Sequence, residues 1–353
     1  MIAPAIYECL PSLRERLPLA AIGVWPTPVH QLPPALGADL WVKREDLSDP
    51  LYGGNKVRTL QAVLGDAMVR GATTIWATGA FGSNHALATA LHAPTLGLRV
   101  GALLFPQPPS APAVANALAL AATDARLIAL PSVAALPAAM VITQLRDRSA
   151  VMMEPGAATP IGACGALSAA LELALQVQRG ELPLPTSIVV PIGSICTTSG
   201  LLAGCQLATR LGLWTRTPTI VGVRVTPWPV TSAWRVHRLA RRALSRIETL
   251  AGREFHVDAR ALHAGLIIDG AQLGAGYGLP TRTGRAAIVA FAQHAGVPAL
   301  DEVYAGKAAA ALATAPLGPT LFWSTKSAAP LPVANEVQRA RMPRAMRAWI
   351  AGR

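Results

Sequence analysis

The sequence predicts an α/β protein built from two open parallel sheets with helices on both faces. Two observations predict it. Short apolar, β-branched runs alternate with segments of helical spacing along nearly the whole chain, the pattern of strands joined by crossover helices. The 353 residues and their apolar content also suffice for about two domains with buried cores. Charged residues make up only 14% of the chain, yet the longest uncharged runs, Val100–Thr123 and Leu182–Thr209, are interrupted by prolines or glycines and polar residues. They read as buried strands and loops rather than membrane spans.

In order, an N-terminal segment of about two dozen residues leads into turns around a short strand at Asp39–Lys43 and a helix at Val57–Arg70. Strands are expected at Thr73–Thr78, Arg99–Phe105, Ala125–Leu130 and Ala150–Glu154, alternating with helices at Asn84–Leu96, Ala113–Ala122 and Val133–Arg146. A second α/β region follows. It has helices at Ile161–Arg179 and Ser199–Leu211 and strands at Ser187–Pro191 and Thr219–Val225. An arginine-rich helix, a loop containing Gly274–Gly278, helices at Thr283–Ala295 and Gly306–Ala313 and a last strand at Thr320–Ser324 complete it.

Cys9, Cys164, Cys196 and Cys205 are scattered without C-x-x-C spacing or nearby histidines, which argues against a zinc site or a disulfide framework and fits a reducing cytoplasm. No metal is expected. The N-terminus lacks a basic start, an apolar core and a small-residue cleavage site, so no secretory signal is assigned. The net charge of +12 raises a nucleic-acid partner. Its one local concentration, Arg235, Arg238, Arg241, Arg242 and Arg246, reads better as the solvated face of a helix, and no nucleic-acid motif accompanies it.

Three stretches carry chemistry. In LYGGNKVRTL, Gly53 and Gly54 allow close backbone approach to a ligand and Lys56 follows on the first turn of a helix, where its amine can reach a cofactor aldehyde; a solvated lysine after a turn is the plainer alternative. In GAFGSNHA, Gly79–Ala86, a strand end runs into a helix start. Ser83 and Asn84 are natural caps there, and with His85 they could also hold a carboxylate and a phenolic oxygen. In GSICTTSGLLAG, Gly193–Gly204, consecutive N–H groups and the hydroxyls of Ser194, Thr197 and Thr198 open a helix and suit a phosphate, a plain strand-helix turn being the alternative. No Gly-Lys-Ser/Thr ending, full dinucleotide fingerprint, G-x-S-x-G elbow or zinc-protease motif occurs. A lysine, an Asn-bearing helix start and a phosphate cradle belong together with pyridoxal 5'-phosphate.

From about Pro26 to Thr325 the chain resembles the fold-type II, tryptophan-synthase-beta-like pyridoxal phosphate enzymes, in particular the D-cysteine desulfhydrase and 1-aminocyclopropane-1-carboxylate deaminase group. The marks are VKREDL at Val42–Leu47, GGNKVR at Gly53–Arg58, GSNH at Gly82–His85, PGAATPIGACGALSAALEL at Pro155–Leu173, the Gly193–Gly200 loop, GYGLP at Gly276–Pro280 and DEVYAGKA at Asp301–Ala308. The resemblance implies that the cofactor lies in the cleft between two domains, 1–56 with 161–330 and 57–160, followed by a basic tail, 331–353. It implies Lys56 as the Schiff-base lysine that also moves the substrate α-proton, Asn84 on the cofactor's phenolic oxygen and Ser83 against substrate, with His85 beside them. Gly193, Ser194, Ile195, Cys196, Thr197 and Thr198 form the phosphate cradle, and Tyr277 and Tyr304 face the substrate. Where a deaminase of this group has an acid after the tyrosine of V-Y-x-G-K, this chain has Ala305, and Lys326 and Ser327 stand where the group has Gly-Gly. Thr325, ahead of Ser324, is then the hydroxyl expected at the pyridine nitrogen. Ile195 and Cys196 replace small residues. The activity implied is α,β-elimination on a small amino acid, D-cysteine desulfhydrase-like, with β-replacement, ring opening and a non-catalytic binding protein as alternatives, and a homodimer as the expected assembly.

Overall fold

Strands form where β-branched and aromatic residues cluster between turns, and the computed structural model, which describes residues 3–352, arranges ten of them in two sheets. They are β1 (Val29–Gln31), β2 (Leu40–Lys43), β3 (Thr74–Ala80), β4 (Arg99–Phe105), β5 (Arg126–Ala129), β6 (Ala150–Met152), β7 (Ser187–Ile192), β8 (Thr219–Arg224), β9 (Leu266–Asp269) and β10 (Thr320–Trp323). The larger sheet runs β1-β2-β10-β7-β8-β9 and the smaller β5-β4-β3-β6. Every pairing is parallel except β1 with β2. The expected pair of parallel sheets is therefore present. β1 and β9, neither expected, are short edge strands with half-exposed side chains, so they leave no apolar alternation to read.

Apolar residues cover both faces of each sheet. Helices Pro160–Gln178, Cys196–Arg210 and Ala233–Ala251 bury leucines and alanines against one face of the larger sheet. Phe291, Ala305, Ala308 and Leu312 pack with Val42, Val189 and Phe322 on the other. Helix Pro160–Gln178 is long and apolar enough to cross a membrane, but it is the buried centre of this packing. The smaller sheet is sandwiched between a core containing Leu60, Leu64, Leu87 and Leu120 and a second one around Trp76, Leu103 and Leu136.

Residues 331–352, the described part of the expected basic tail, carry two short helices. Helices Glu336–Arg341 and Arg344–Ile350 fold back so that Met342 and Met346 are buried in the smaller sheet's core. Trp349 stands edge-on to Phe81 with ring centroids 5.5 Å apart and donates from Nε1 to the Gln107 carbonyl at 2.6 Å. The spacing of Met342, Met346, Trp349 and Ile350 is helical and apolar, a signal hidden among the arginines. Residue 353 lies outside the described residues.

At the junction of the sheets the chain buries four charges. Lys43, at the end of β2, donates to Glu172 at 2.6 Å, Gln176 at 2.5 Å and the Thr27 carbonyl at 2.8 Å. Arg58 donates to Glu45 at 2.9 Å and, through two nitrogens, to Glu172 at 2.7 and 2.9 Å, while its guanidinium lies 3.5 Å from the centroid of the Trp25 ring. Two cations face two anions, and every charged end has hydrogen-bond partners. Burial alone would raise the Glu172 carboxyl, but Arg58 and Lys43 outweigh it and hold the group down at about 2.

Replacing Glu172 with Gln leaves a buried cation uncompensated, and the expected loss is about 3–5 kcal/mol in denaturant unfolding at neutral pH. Because the folded carboxyl titrates below an ordinary glutamate at about 4.3, its stabilising contribution is full above that pH and is lost as pH falls toward 2. An acid titration of stability should therefore be shallower for Glu172→Gln than for wild type across that window.

Candidate active site

In open parallel sheets, ligands collect beyond the carboxyl ends of strands where the strand order reverses. Here β7 and β10 flank the reversal in the larger sheet and β3 and β6 that in the smaller. The segments leaving these four strands, Gly193–Thr198, Thr325–Ser327, Ala80–His85 and Glu154–Gly156, line one cavity of about 710 Å³ together with Tyr52, Asn55, Lys56, Tyr277 and Tyr304. All the site residues expected from sequence line this cavity.

Lys56 opens helix Lys56–Val69, and its Nζ lies 3.5 Å from Ser194 Oγ. Burial lowers its pKa, and the positive end of its own helix acts in the same direction, so the neutral, nucleophilic amine is favoured. The preceding turn explains the glycines: Gly54 has φ +92°, and a Cβ there would stand 2.6 Å from the Thr325 carbonyl. The chain has four lysines. Lys43 is sealed in the charge cluster, and Lys307 donates to the carbonyls of Leu273 at 2.8 Å and Gly276 at 3.4 Å. Only Lys56 and Lys326 line the cavity.

Helix Asn84–His92 is capped by Ser83, whose Oγ accepts from the Ala86 N–H at 3.2 Å. Ser83 thus serves as a cap and still lines the cavity. Asn84 Oδ1 accepts from the Tyr52 hydroxyl at 3.0 Å and Asn116 Nδ2 at 2.7 Å, so its amide is oriented with Nδ2 left as a donor. His85 is 2% exposed, neither ring nitrogen has a partner among the described residues, and burial, with Lys56 nearby, lowers its pKa to about 3. It is a neutral imidazole.

Helix Cys196–Arg210 begins three residues before the expected start, because Cys196, Thr197 and Thr198, though poor helix formers, form its first turn. Ile195 precedes it in the left-handed region at φ 63°, a conformation costly for a β-branched residue and found where function over-determines the backbone. The Cys196 thiol turns away, bonding the Ala157 carbonyl at 3.2 Å, so only its backbone faces the cavity. Thr197 Oγ1 accepts from Asn55 Nδ2 at 2.6 Å. Thr198 Oγ1 is buried without a partner. Gly193 is needed for Tyr304, whose Cε1 would stand 2.9 Å from a Cβ there.

The Tyr304 and Tyr277 hydroxyls are 2.8 Å apart. Burial raises the pKa of both phenols, so each is a proton carrier rather than a phenolate. The motif around Tyr304 explains the arrangement. Asp301 accepts from the N–H groups of Val303, Tyr304 and Ala305 at 2.8, 2.7 and 3.1 Å, and Lys307 pins the loop that carries Tyr277. Thr325 lines the cavity, whereas Ser324 Oγ is buried behind it without a partner. Tyr52, Asn55, Asn116 and the Lys307 bonds are the working parts that sequence reasoning missed. An isolated polar residue in the alanine-rich helix Ala111–Ala121 was the available signal for Asn116.

The sequence profile of the family described as pyridoxal-phosphate dependent enzyme matches residues 20–320. The chain belongs to that family. Nocardicin C-9' epimerase of Nocardia uniformis subsp. tsuyamanensis is 39% identical over 54% of this chain and 60% of its own length, so the chain spans about three fifths of that relative. D-cysteine desulfhydrase of Serratia proteamaculans (strain 568) is 32% identical over 78% of this chain and 81% of its own. The crystal structure of an ACC deaminase homologue superposes with a TM-score of 0.72 at 28% identity, covering 92% of this chain and 95% of that one. Pyridoxal phosphate is the cofactor of the family.

The residues present fit that group. The first turn of helix Cys196–Arg210 offers N–H donors and the orphaned, buried Thr198 hydroxyl to a phosphate. The oriented Asn84 amide offers a donor to a phenolic oxygen, and Lys56 offers an amine to an aldehyde. Prepared without cofactor, the protein should acylate at Lys56 with a pH profile that levels off below the ordinary lysine value of about 10.4, because the folded pKa is lowered. Mass spectrometry of the Lys56 peptide across pH measures this; an ordinary lysine profile would contradict it.

Proposed function

We propose that the protein is a pyridoxal phosphate-dependent lyase that removes the α-proton of a small amino acid and expels its β-substituent, with D-cysteine as the first substrate to test. The observation that carries the reading is one cavity in which the low-pKa Lys56 amine and the protonated Tyr277–Tyr304 pair lie together. The D-cysteine desulfhydrase relative supports the choice of substrate, and four unpaired cysteines fit a reducing, cytoplasmic setting.

Pyridoxal phosphate, when bound, delocalises the electron pair left at the substrate Cα. Lys56 would hold it covalently, the Gly193–Thr198 turn its phosphate, Asn84 its phenolic oxygen and Thr325 its pyridine nitrogen. During turnover the freed Lys56 amine takes the proton from Cα. The phenol of Tyr304, hydrogen-bonded to Tyr277, gives a proton to the departing sulfur, so that D-cysteine and water yield pyruvate, ammonia and hydrogen sulfide. Ser83 and the neutral His85 orient the substrate carboxylate through hydrogen bonds. With Ala305 at the position after Tyr304 and Thr325 as the hydroxyl, no carboxylate is supplied to the pyridine nitrogen, which disfavours cyclopropane opening.

The epimerase relative favours a second reading, in which the proton returns to the other face of Cα without loss of a substituent. Product analysis separates the two: sulfide and pyruvate from D-cysteine for elimination, deuterium uptake at Cα with recovered amino acid for epimerisation. Under the first reading Tyr304→Phe should lower kcat about a hundredfold or more with little change in KM. An unchanged kcat would remove Tyr304 from the proton path.

A further inference from the structure

The cavity continues past the cofactor-holding residues to Thr226, Val230 and Arg235, which come from the loop after β8 and the first turn of helix Ala233–Ala251. Val236, Leu239 and Ala240 bury the inner face of that helix and fix its start. Of the five arginines on this helix, Arg235 alone lines the cavity. Arg238 lies over the Trp234 ring, 5.2 Å from its centroid, and Arg246 pairs with Asp66 at 3.1 Å. Arg235 forms no salt bridge among the described residues. It also stands in the first turn of a 19-residue helix with no acid there, where the helix dipole disfavours a cation. Its side chain is exposed at the mouth of the cavity, so water rather than a protein anion solvates the guanidinium and a ligand can take that place.

The other charges lining the cavity are Lys56, Glu154, Asp301 and Lys326. Asp301 is committed to three backbone N–H groups. Arg235 therefore offers an uncommitted planar fork, the geometry that suits a carboxylate, in a cavity that Val230 and Thr226 also line.

We propose that Arg235 is a specificity residue and that the cavity takes an α-amino acid whose side chain ends in a second carboxylate. The proposal rests on the reading of the site as a pyridoxal phosphate site for amino acids, and it goes beyond that reading in assigning the far end of the substrate. A three-carbon substrate such as D-cysteine would occupy the Lys56 end and leave Arg235 unused.

The test uses the pyridoxal phosphate-loaded protein and ligands that bind without eliminating. Calorimetry would compare each enantiomer of 2-aminoadipate, which has no β-leaving group, with its neutral side-chain amide. Wild type should bind the carboxylate of the accepted enantiomer about twofold to fivefold tighter than the amide at low ionic strength, the size of a solvent-exposed ion pair. Arg235→Gln should erase that preference, Arg235→Lys should keep part of it, and Arg238→Gln, one turn on and outside the cavity, should keep all of it. No preference in wild type, or a preference surviving in Arg235→Gln, would overturn the proposal. Equal weakening of both ligands would also overturn it, by placing Arg235 on the shared α-carboxylate. The elimination reading fails separately, if S-(carboxymethyl)cysteine yields no keto acid while the binding preference stands.

Discussion

Everything at the site hangs from the buried cluster of Lys43, Glu45, Arg58 and Glu172. Ions removed from water cost several kcal/mol each, and that cost is offset only when each has well-placed partners, so the cluster favours the arrangement in which the pieces that carry it meet. Those pieces are the end of β2, the turn after it, helix Lys56–Val69 and the central helix Pro160–Gln178. Lys56 lies two residues before Arg58 on the same first turn. Fixing the guanidinium between two carboxylates and the Trp25 ring fixes where the Lys56 backbone begins, and the Gly54 turn sets it against the Thr325 carbonyl.

On that frame the cavity acquires its electrostatics from the backbone. Helices starting at Lys56, Asn84 and Cys196 all open onto it. Their N-terminal ends favour an anion and disfavour an ammonium, so the same dipoles that suit a phosphate act with burial to lower the Lys56 pKa. Side chains then refine the field. Tyr52 and Asn116 turn the Asn84 amide, Asp301 and Lys307 position two tyrosines, and burial keeps those phenols and His85 uncharged. A site so prepared has one amine of lowered pKa and a set of neutral hydrogen-bond donors, an arrangement suited to taking a proton from carbon while protonating a leaving group.

The local signals of this arrangement were legible in the sequence. Both parallel sheets follow from the alternation of strand and helix patterns, and Gly53–Lys56, Gly82–His85 and Gly193–Thr198 each announce a ligand-facing turn within a few residues. What could not be read depends on contacts between distant segments. Nothing near Asn116 or Tyr52 says that they meet at Asn84, 32 residues from each, and Lys307 looks like a surface charge until the Tyr277 loop closes over it. The edge strands β1 and β9 carry too little apolar pattern. The C-terminal helices were masked by arginines whose stems and charges stay outside while Met342 and Met346 turn inward.

The proposed chemistry stands or falls on covalent attachment of pyridoxal phosphate to Lys56. It is tested most directly by reducing the cofactor-loaded protein with borohydride and locating the added mass by peptide mapping. The small number of lysines makes the result unambiguous, since only Lys56 and Lys326 reach the cavity. The expected result is a visible cofactor band that reduction abolishes, the added mass on Lys56, and neither band nor label in Lys56→Ala. A label on Lys326, or no covalent attachment in folded wild-type protein, would contradict it.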